Sequence, residues 1–123
     1  MSINTKFNQS SEDYLESLLT LSYAQEVVHR IDVAKKMNVS QAAVNKAMKI
    51  LVGQGYVYED GMHLYLTDEG KKYAEAVYEK HCIIRDYLCD LGVSQENAEA
   101  DACHMEHVIS EETFQMMKKA LKK

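Results

Sequence analysis

Cys103, Glu106 and His107 stand at positions i, i+3 and i+4 of the stretch Asp101-Ala-Cys-His-Met-Glu-His107. On a helix, three side chains so spaced project from one face within about one turn. A thiolate, a carboxylate and an imidazole that converge in this way form part of a transition-metal site. One helix cannot close a coordination sphere, so other segments must contribute. Asp13 and Glu16, again at i, i+3, are candidates near the N-terminus, and His81, in Tyr78-Glu-Lys-His81, is another. Each has an ordinary alternative. Asp13 could complement the dipole in the first turn of a helix, and a lone histidine on a helix is commonly structural.

Helices must position these residues, and the composition favours them. The 123 residues include no proline and only five glycines, so little interrupts a helix. Ser10-Ser11-Glu12-Asp13 reads as a helix start, with Leu15, Leu18, Leu19 and Ser22 following at helical spacing to about Tyr23. A short helix spans about 31–37, with Ile31, Ala34 and Met37 inward. A tight turn at Asn38-Val-Ser40 leads to a third helix over about 41–54, capped by Ser40, burying Val44, Ala47, Met48 and Leu51 and ended by Gly53 and Gly55. Two β-rich arms then flank Asp60-Gly61, a hairpin signal. Thr67 caps a long helix to about Asp90, Gly92 stops it, Ser94 caps a fifth helix to about Val108, and Ser110 opens a sixth.

Short helix, tight turn, helix and hairpin is the order of a winged helix-turn-helix, whose second helix enters the DNA major groove. Gln41, Ala42, Asn45, Lys46 and Lys49 are expected on its outward face. Ser40, Gln41 and Asn45 are candidate base readers, and Lys46 and Lys49 candidate phosphate contacts. Arg30 and, on the hairpin, His63 complete the candidate DNA-binding set. Charge supports this reading. From His29 to Tyr58 five basic residues face one acid, a balance of +4 inside a chain of net charge −5, whereas residues 86–112 carry eight acids and no Lys or Arg. A basic segment suits a polyanion and an acidic one a cation. A winged-helix protein-interaction module with ordinary solvated faces is the alternative.

No apolar run has the length of a signal peptide or a membrane span, and the cysteines number three, Cys82, Cys89 and Cys103. A cytoplasmic protein with reduced thiols is expected. Cys82 and Cys89, seven apart, are expected in the core. Apolar residues late in the fourth helix (Tyr78, Ile83, Ile84, Tyr87, Leu88) and in the last (Phe114, Met116, Met117, Leu121) suggest a subunit interface, or else a monomer's core.

Taken together, Glu12-Asp13-Tyr-Leu-Glu16, a winged helix, Glu79-Lys-His81 and Cys103-x-x-Glu106-His107-Val-Ile-Ser110 resemble the diphtheria toxin repressor family of metal-dependent transcriptional regulators, over about residues 10–119. The resemblance implies a mainly α chain: an N-terminal winged helix-turn-helix over 1–70, then a helical metal-binding and dimerisation domain over 71–123, without the SH3-like third domain of larger members. It implies a homodimer that binds a palindromic double-stranded operator and has no enzymatic activity, no small organic substrate and no membrane partner. His81, Glu106 and His107 match ligand positions of both the iron-dependent and the manganese-transport branches. Asp13 and Glu16 match the manganese branch, whereas Cys103 matches the iron branch. Arg85 stands where the iron branch has a further ligand and cannot coordinate, so a second metal would fall to His81 and Glu16, with Glu99 or Glu106. A thiolate favours ions later in the first-row series than Mn²⁺. Fe²⁺ is therefore the first expectation and Mn²⁺ the second, with Co²⁺, Ni²⁺ or Zn²⁺ as surrogates. A zinc enzyme built on the Cys-Glu-His cluster would need a substrate pocket and a general-base constellation, and no motif supplies one.

Overall fold

The computed structural model describes the backbone of residues 4–121 and the side chains of residues 10–121. Among these residues the order is α1 (Asn4–Ala24), α2 (Arg30–Met37), α3 (Gln41–Gly53), β1 (Val57–Asp60), β2 (His63–Leu66), α4 (Asp68–Asp90), α5 (Gln95–Met105) and α6 (Glu111–Leu121). Residues 6–75 form one compact unit, and residues 76–121 belong to a second. No described helix is long and apolar enough to cross a membrane.

The first unit is a winged helix-turn-helix. Its core is Leu15, Leu18 and Leu19 of α1, Val33 of α2, Val44, Met48 and Leu51 of α3, and Val57 and Leu64 of the hairpin, all at most 3% exposed. Each such side chain stabilises the fold by roughly 1.5–3 kcal/mol through burial. Between α2 and α3, Asn38 takes the left-handed conformation (φ 57°) that ends α2, and Ser40 accepts a hydrogen bond from Ala43 N–H to begin α3. A bridge from Val28 to Leu64 ties the chain before α2 to the wing.

Some expected details shift. α1 begins at Asn4, well before Ser11, so Ser10 and Ser11 lie inside the helix. Ile31 is 45% exposed, because the inward stripe of α2 is Val33, Ala34 and Met37, with Ile31 at its edge. In the hairpin Asp60 pairs with His63, so the turn is Gly61-Met62, one residue later than expected. Gly61 there adopts φ 65°, which costs glycine nothing.

Thr67 begins α4 with both functions of its hydroxyl. It donates to Gly55 O at 2.6 Å and accepts from Gly70 N–H at 3.0 Å. Gly70 is obligatory, since a Cβ there would lie 1.9 Å from the carbonyl oxygen of Tyr56. Near the same end, Tyr73 Oη donates to Glu12 Oε2 at 2.7 Å, fixing α1 to the first turns of α4. Burial and the neighbouring Glu12 carboxylate raise the Tyr73 pKa, so the phenol keeps its proton.

The second unit packs Val77 and Ile84 of α4, Ala98 and Ala102 of α5 and Phe114 of α6 into its core. Ser94 and Ser110 cap α5 and α6 through the amides of Asn97 and Thr113. α5 closes at Met105, three residues earlier than expected. Cys89 is exposed, contrary to its expected place in the core, while Cys82 is half-buried. Of the apolar residues offered for a subunit interface, Ile84 and Phe114 are interior, whereas Met116 is 59% exposed.

Candidate metal centre and nucleic-acid face

α4 carries His81 to a place where both ring nitrogens meet carboxylates. Nδ1 lies 2.8 Å from Glu106 Oε1, and Nε2 lies 2.6 Å from Glu99 Oε2. A neutral imidazole donates from one nitrogen only, so a ring flanked on both sides by carboxylates is held as the imidazolium. Cys103 Sγ stands 4.0 Å from Nδ1. Contacts with Cys103, Glu106 and Glu99 outweigh the desolvation of the buried ring and push its pKa up to about 11. Tyr78, one turn earlier on α4, lies parallel to the ring, with centroids 6.5 Å apart and planes at 6°.

Glu106 is the second centre of the cluster. It follows α5 directly, with φ −59° and ψ −24°, and its N–H still bonds Ala102 O. The backbone thus stays right-handed past the helix end and preserves the i, i+3 relation to Cys103. The Glu106 side chain is fully covered. Its Oε1 bonds His81, but its Oε2 is buried with no hydrogen-bond partner among the described residues. That oxygen lies 3.4 Å from Nε2 of His107, whose side chain is 1% exposed. A buried carboxylate oxygen with open lone pairs is costly and calls for a counter-charge. Carboxylate oxygen, imidazole nitrogen and a nearby thiol are donor types that suit a first-row transition metal and suit calcium or magnesium poorly.

Of the other expected ligands, Glu99 proves to be bound to His81, with its side chain half exposed and Arg85 Nη1 3.7 Å from its other oxygen. Arg85 also holds Asp86 at 3.0 Å, so the position four residues after His81 is an ion-pairing cation. Asp13 and Glu16 lie half-buried on α1, in the first unit. Because α1 starts at Asn4, Asp13 is far from the first turn, where a helix dipole acts. That ordinary explanation for its acid is removed.

On the first unit, Gln41, Ala42, Asn45, Lys46 and Lys49 are all exposed along α3. The Ser40 oxygen is engaged as the N-cap, leaving its hydroxyl proton to donate. His63 is half-buried, edge-on to His29 at 5.1 Å. Arg30 is not free: its Nε and Nη2 grip the wing carboxylate of Glu59 at 2.6–2.9 Å, and its Nη1 donates to Asn45 Oδ1 at 2.8 Å. Glu59 went unrecognised in the sequence because it lies 29 residues from its partner.

Comparison with known proteins gives this geometry a family. Residues 6–63 match the iron dependent repressor N-terminal DNA binding domain, and residues 67–123 match the iron dependent repressor metal binding and dimerisation domain. The transcriptional regulator MntR of Salmonella typhimurium is 37% identical over 104 residues, covering 84% of this chain and 66% of that protein. The iron-dependent repressor IdeR of Mycobacterium bovis is 30% identical over 114 residues, covering 91% of this chain and 50% of that protein. The structure of the manganese regulator SloR superposes with a TM-score of 0.81 at 30% identity, covering 91% of this chain and 53% of that one. This chain therefore spans one half to two thirds of the length of these relatives. With both family domains matched in order across nearly all its residues, the chain belongs to the diphtheria toxin repressor family of iron-dependent repressors and manganese transport regulators.

Proposed function

We propose that this chain is a divalent-metal-responsive transcriptional repressor that binds a palindromic DNA operator as a homodimer in the cytoplasm. The observation that carries the reading is Glu106: a covered carboxylate with one oxygen on His81 and the other without a hydrogen bond, 3.4 Å from the His107 imidazole. The ligands are Asp13 and Glu16 from α1 together with His81, Cys103, Glu106 and His107. Asp13 and Glu16 enter the set on their i, i+3 spacing and on the loss of a dipole role for Asp13.

A bound divalent ion would supply positive charge against these carboxylates and a common point of attachment for their helices. The chain's own residues supply the rest. His81 must release the proton it holds between Glu106 and Glu99. Glu106 turns its open oxygen, and His107 its Nε2, to the same point. Asp13 and Glu16 commit α1. The apolar face of α1 (Leu15, Leu18, Leu19) shares a core with Val44, Met48 and Leu51 of α3, so restraining α1 restrains the reading helix. The switch operates only to the extent that metal binds the DNA-competent arrangement better than others.

Cys103 favours Fe²⁺ as the effector, since Mn²⁺ prefers harder oxygen ligands. The second reading is Mn²⁺, supported by Asp13 and Glu16 as oxygen donors and by the name of the Salmonella relative. Titrating the reduced protein with each metal anaerobically, while following its affinity for duplexes from candidate upstream regions, tests both. The expected result is metal-stimulated binding that His107→Ala abolishes while its circular dichroism stays native. Undiminished stimulation in that variant refutes the site.

A further inference from the structure

Asn45 projects from the exposed face of α3, yet its carbonyl oxygen is already committed. Arg30 Nη1 donates to Asn45 Oδ1 at 2.8 Å, and Arg30 is itself held by two oxygens of Glu59 on the wing. The Asn45 amide nitrogen makes no hydrogen bond among the described residues, and a cleft of about 510 Å³ opens beside it, lined by His29, Ile31, Gln41 and Met62. An asparagine normally recognises adenine bidentately, accepting from N6–H₂ with its oxygen and donating to N7 with its nitrogen. That mode would have to share an oxygen on which the Arg30 guanidinium already takes one of the two lone pairs.

We infer that Asn45 is preset to read as a donor, with its carbonyl oxygen held by Arg30. Through its amide N–H₂ it selects a base edge made of acceptors, guanine O6 and N7 or thymine O4, and it discriminates against adenine. Arg30 and Glu59 are the positioning residues that impose this choice. The inference rests on the reading of the chain as a DNA-binding regulator.

The arrangement has a reason to persist on DNA. If Arg30 left Glu59 for a phosphate, a bare carboxylate would face the polyanionic backbone, and a bidentate, charge-assisted pair would be broken. Paired, the two groups are a neutral strut between wing and helix. Arg30 then contributes little to phosphate affinity and acts on base choice.

The test selects bound duplexes from a randomised pool, with the full chain loaded with Fe²⁺ or Mn²⁺. The operator position read by Asn45 is the one whose preference disappears in Asn45→Ala. At that position the wild type is expected to choose guanine or thymine. Arg30→Ala, which frees the carbonyl, should raise adenine there by about tenfold or more, within the range of a bidentate contact. Glu59→Ala, which leaves Arg30 and Asn45 in place but loosens the strut, should shift preference in the same direction by less. Adenine preferred by the wild type, no position altered by Asn45→Ala, or no shift in either strut variant would each overturn the inference while leaving the regulator reading intact. Absence of any metal-stimulated duplex binding by the wild type overturns that reading, and the inference with it.

Discussion

The proton on His81 should couple pH to metal-free stability and to metal affinity in opposite senses. The folded-state pKa is about 11 against an ordinary 6.5. A raised pKa means the folded protein holds the proton more tightly than the unfolded chain. The resulting stability is complete below pH 6.5 and is lost as pH rises toward 11. Within that window one group contributes a slope of ~1.4 kcal/mol per pH unit. From pH 7 to pH 9 the loss is therefore ~3 kcal/mol, a large share of a small domain's ~5–15 kcal/mol. A metal-ligating histidine must be neutral, so over the same two units affinity should rise by about tenfold per unit from this group alone. Urea unfolding with chelator and reductant at pH 7, 8 and 9 measures the first effect, and metal titration at the same pH values measures the second. His81→Gln keeps a polar side chain that does not titrate, so the difference between variant and wild type isolates the histidine. Parallel stability curves for the two proteins across pH 7–9 would refute the imidazolium. A pH-independent metal affinity in the wild type would remove His81 from the ligand set.

Three further outcomes are expected. Cys103→Glu should shift the ratio of Mn²⁺ to Fe²⁺ affinity toward Mn²⁺, by exchanging a thiolate for a hard oxygen donor; an unchanged ratio in competitive titration would show that the sulfur does not set selectivity. Asp13→Ala should raise the metal concentration for half-maximal DNA binding by at least about tenfold, ~1.4 kcal/mol, and an unmoved midpoint would exclude Asp13 from the site. Gly70→Ala should lower unfolding stability by ~2 kcal/mol or more, because its Cβ would meet the Tyr56 carbonyl oxygen at 1.9 Å; a wild-type denaturation midpoint would show that the close approach relaxes freely.

What the sequence made legible is what depends on neighbours along the chain. The caps Ser40, Thr67, Ser94 and Ser110 act on amides three residues on, and the Cys103, Glu106, His107 cluster is local in the same way. The start of α1 was misread for a local reason too. Ser10-Ser11-Glu12-Asp13 has the composition of a cap, while the polar residues before it carry no apolar period that would announce a helix. Contacts between distant positions left no trace in spacing. The Glu99–His81 pair spans 18 residues and the Arg30–Glu59 pair 29. Both involve a surface acid whose partner is set only when two elements pack.

That difference matters to the chemistry as well as to the fold. Read as an inventory of ligands, the cluster has carboxylates and no cation, and it would be strongly repulsive without metal. The fold answers with His81, which sits between Glu106 and Glu99 as an internal positive charge, while Arg85 draws on the outer oxygen of Glu99. Among the described residues, Glu106 Oε2 is a buried oxygen left without a hydrogen bond. A metal bound here would compete with the proton that His81 holds. The affinity of such a site depends on how cheaply His81 gives its proton up, whereas the choice among metals depends on whether the ligand at position 103 is sulfur or oxygen. Glu99, which sequence alone placed only at a second metal site, bonds the far nitrogen of His81, so that proton's hold can be tuned there without touching Cys103, Glu106 or His107.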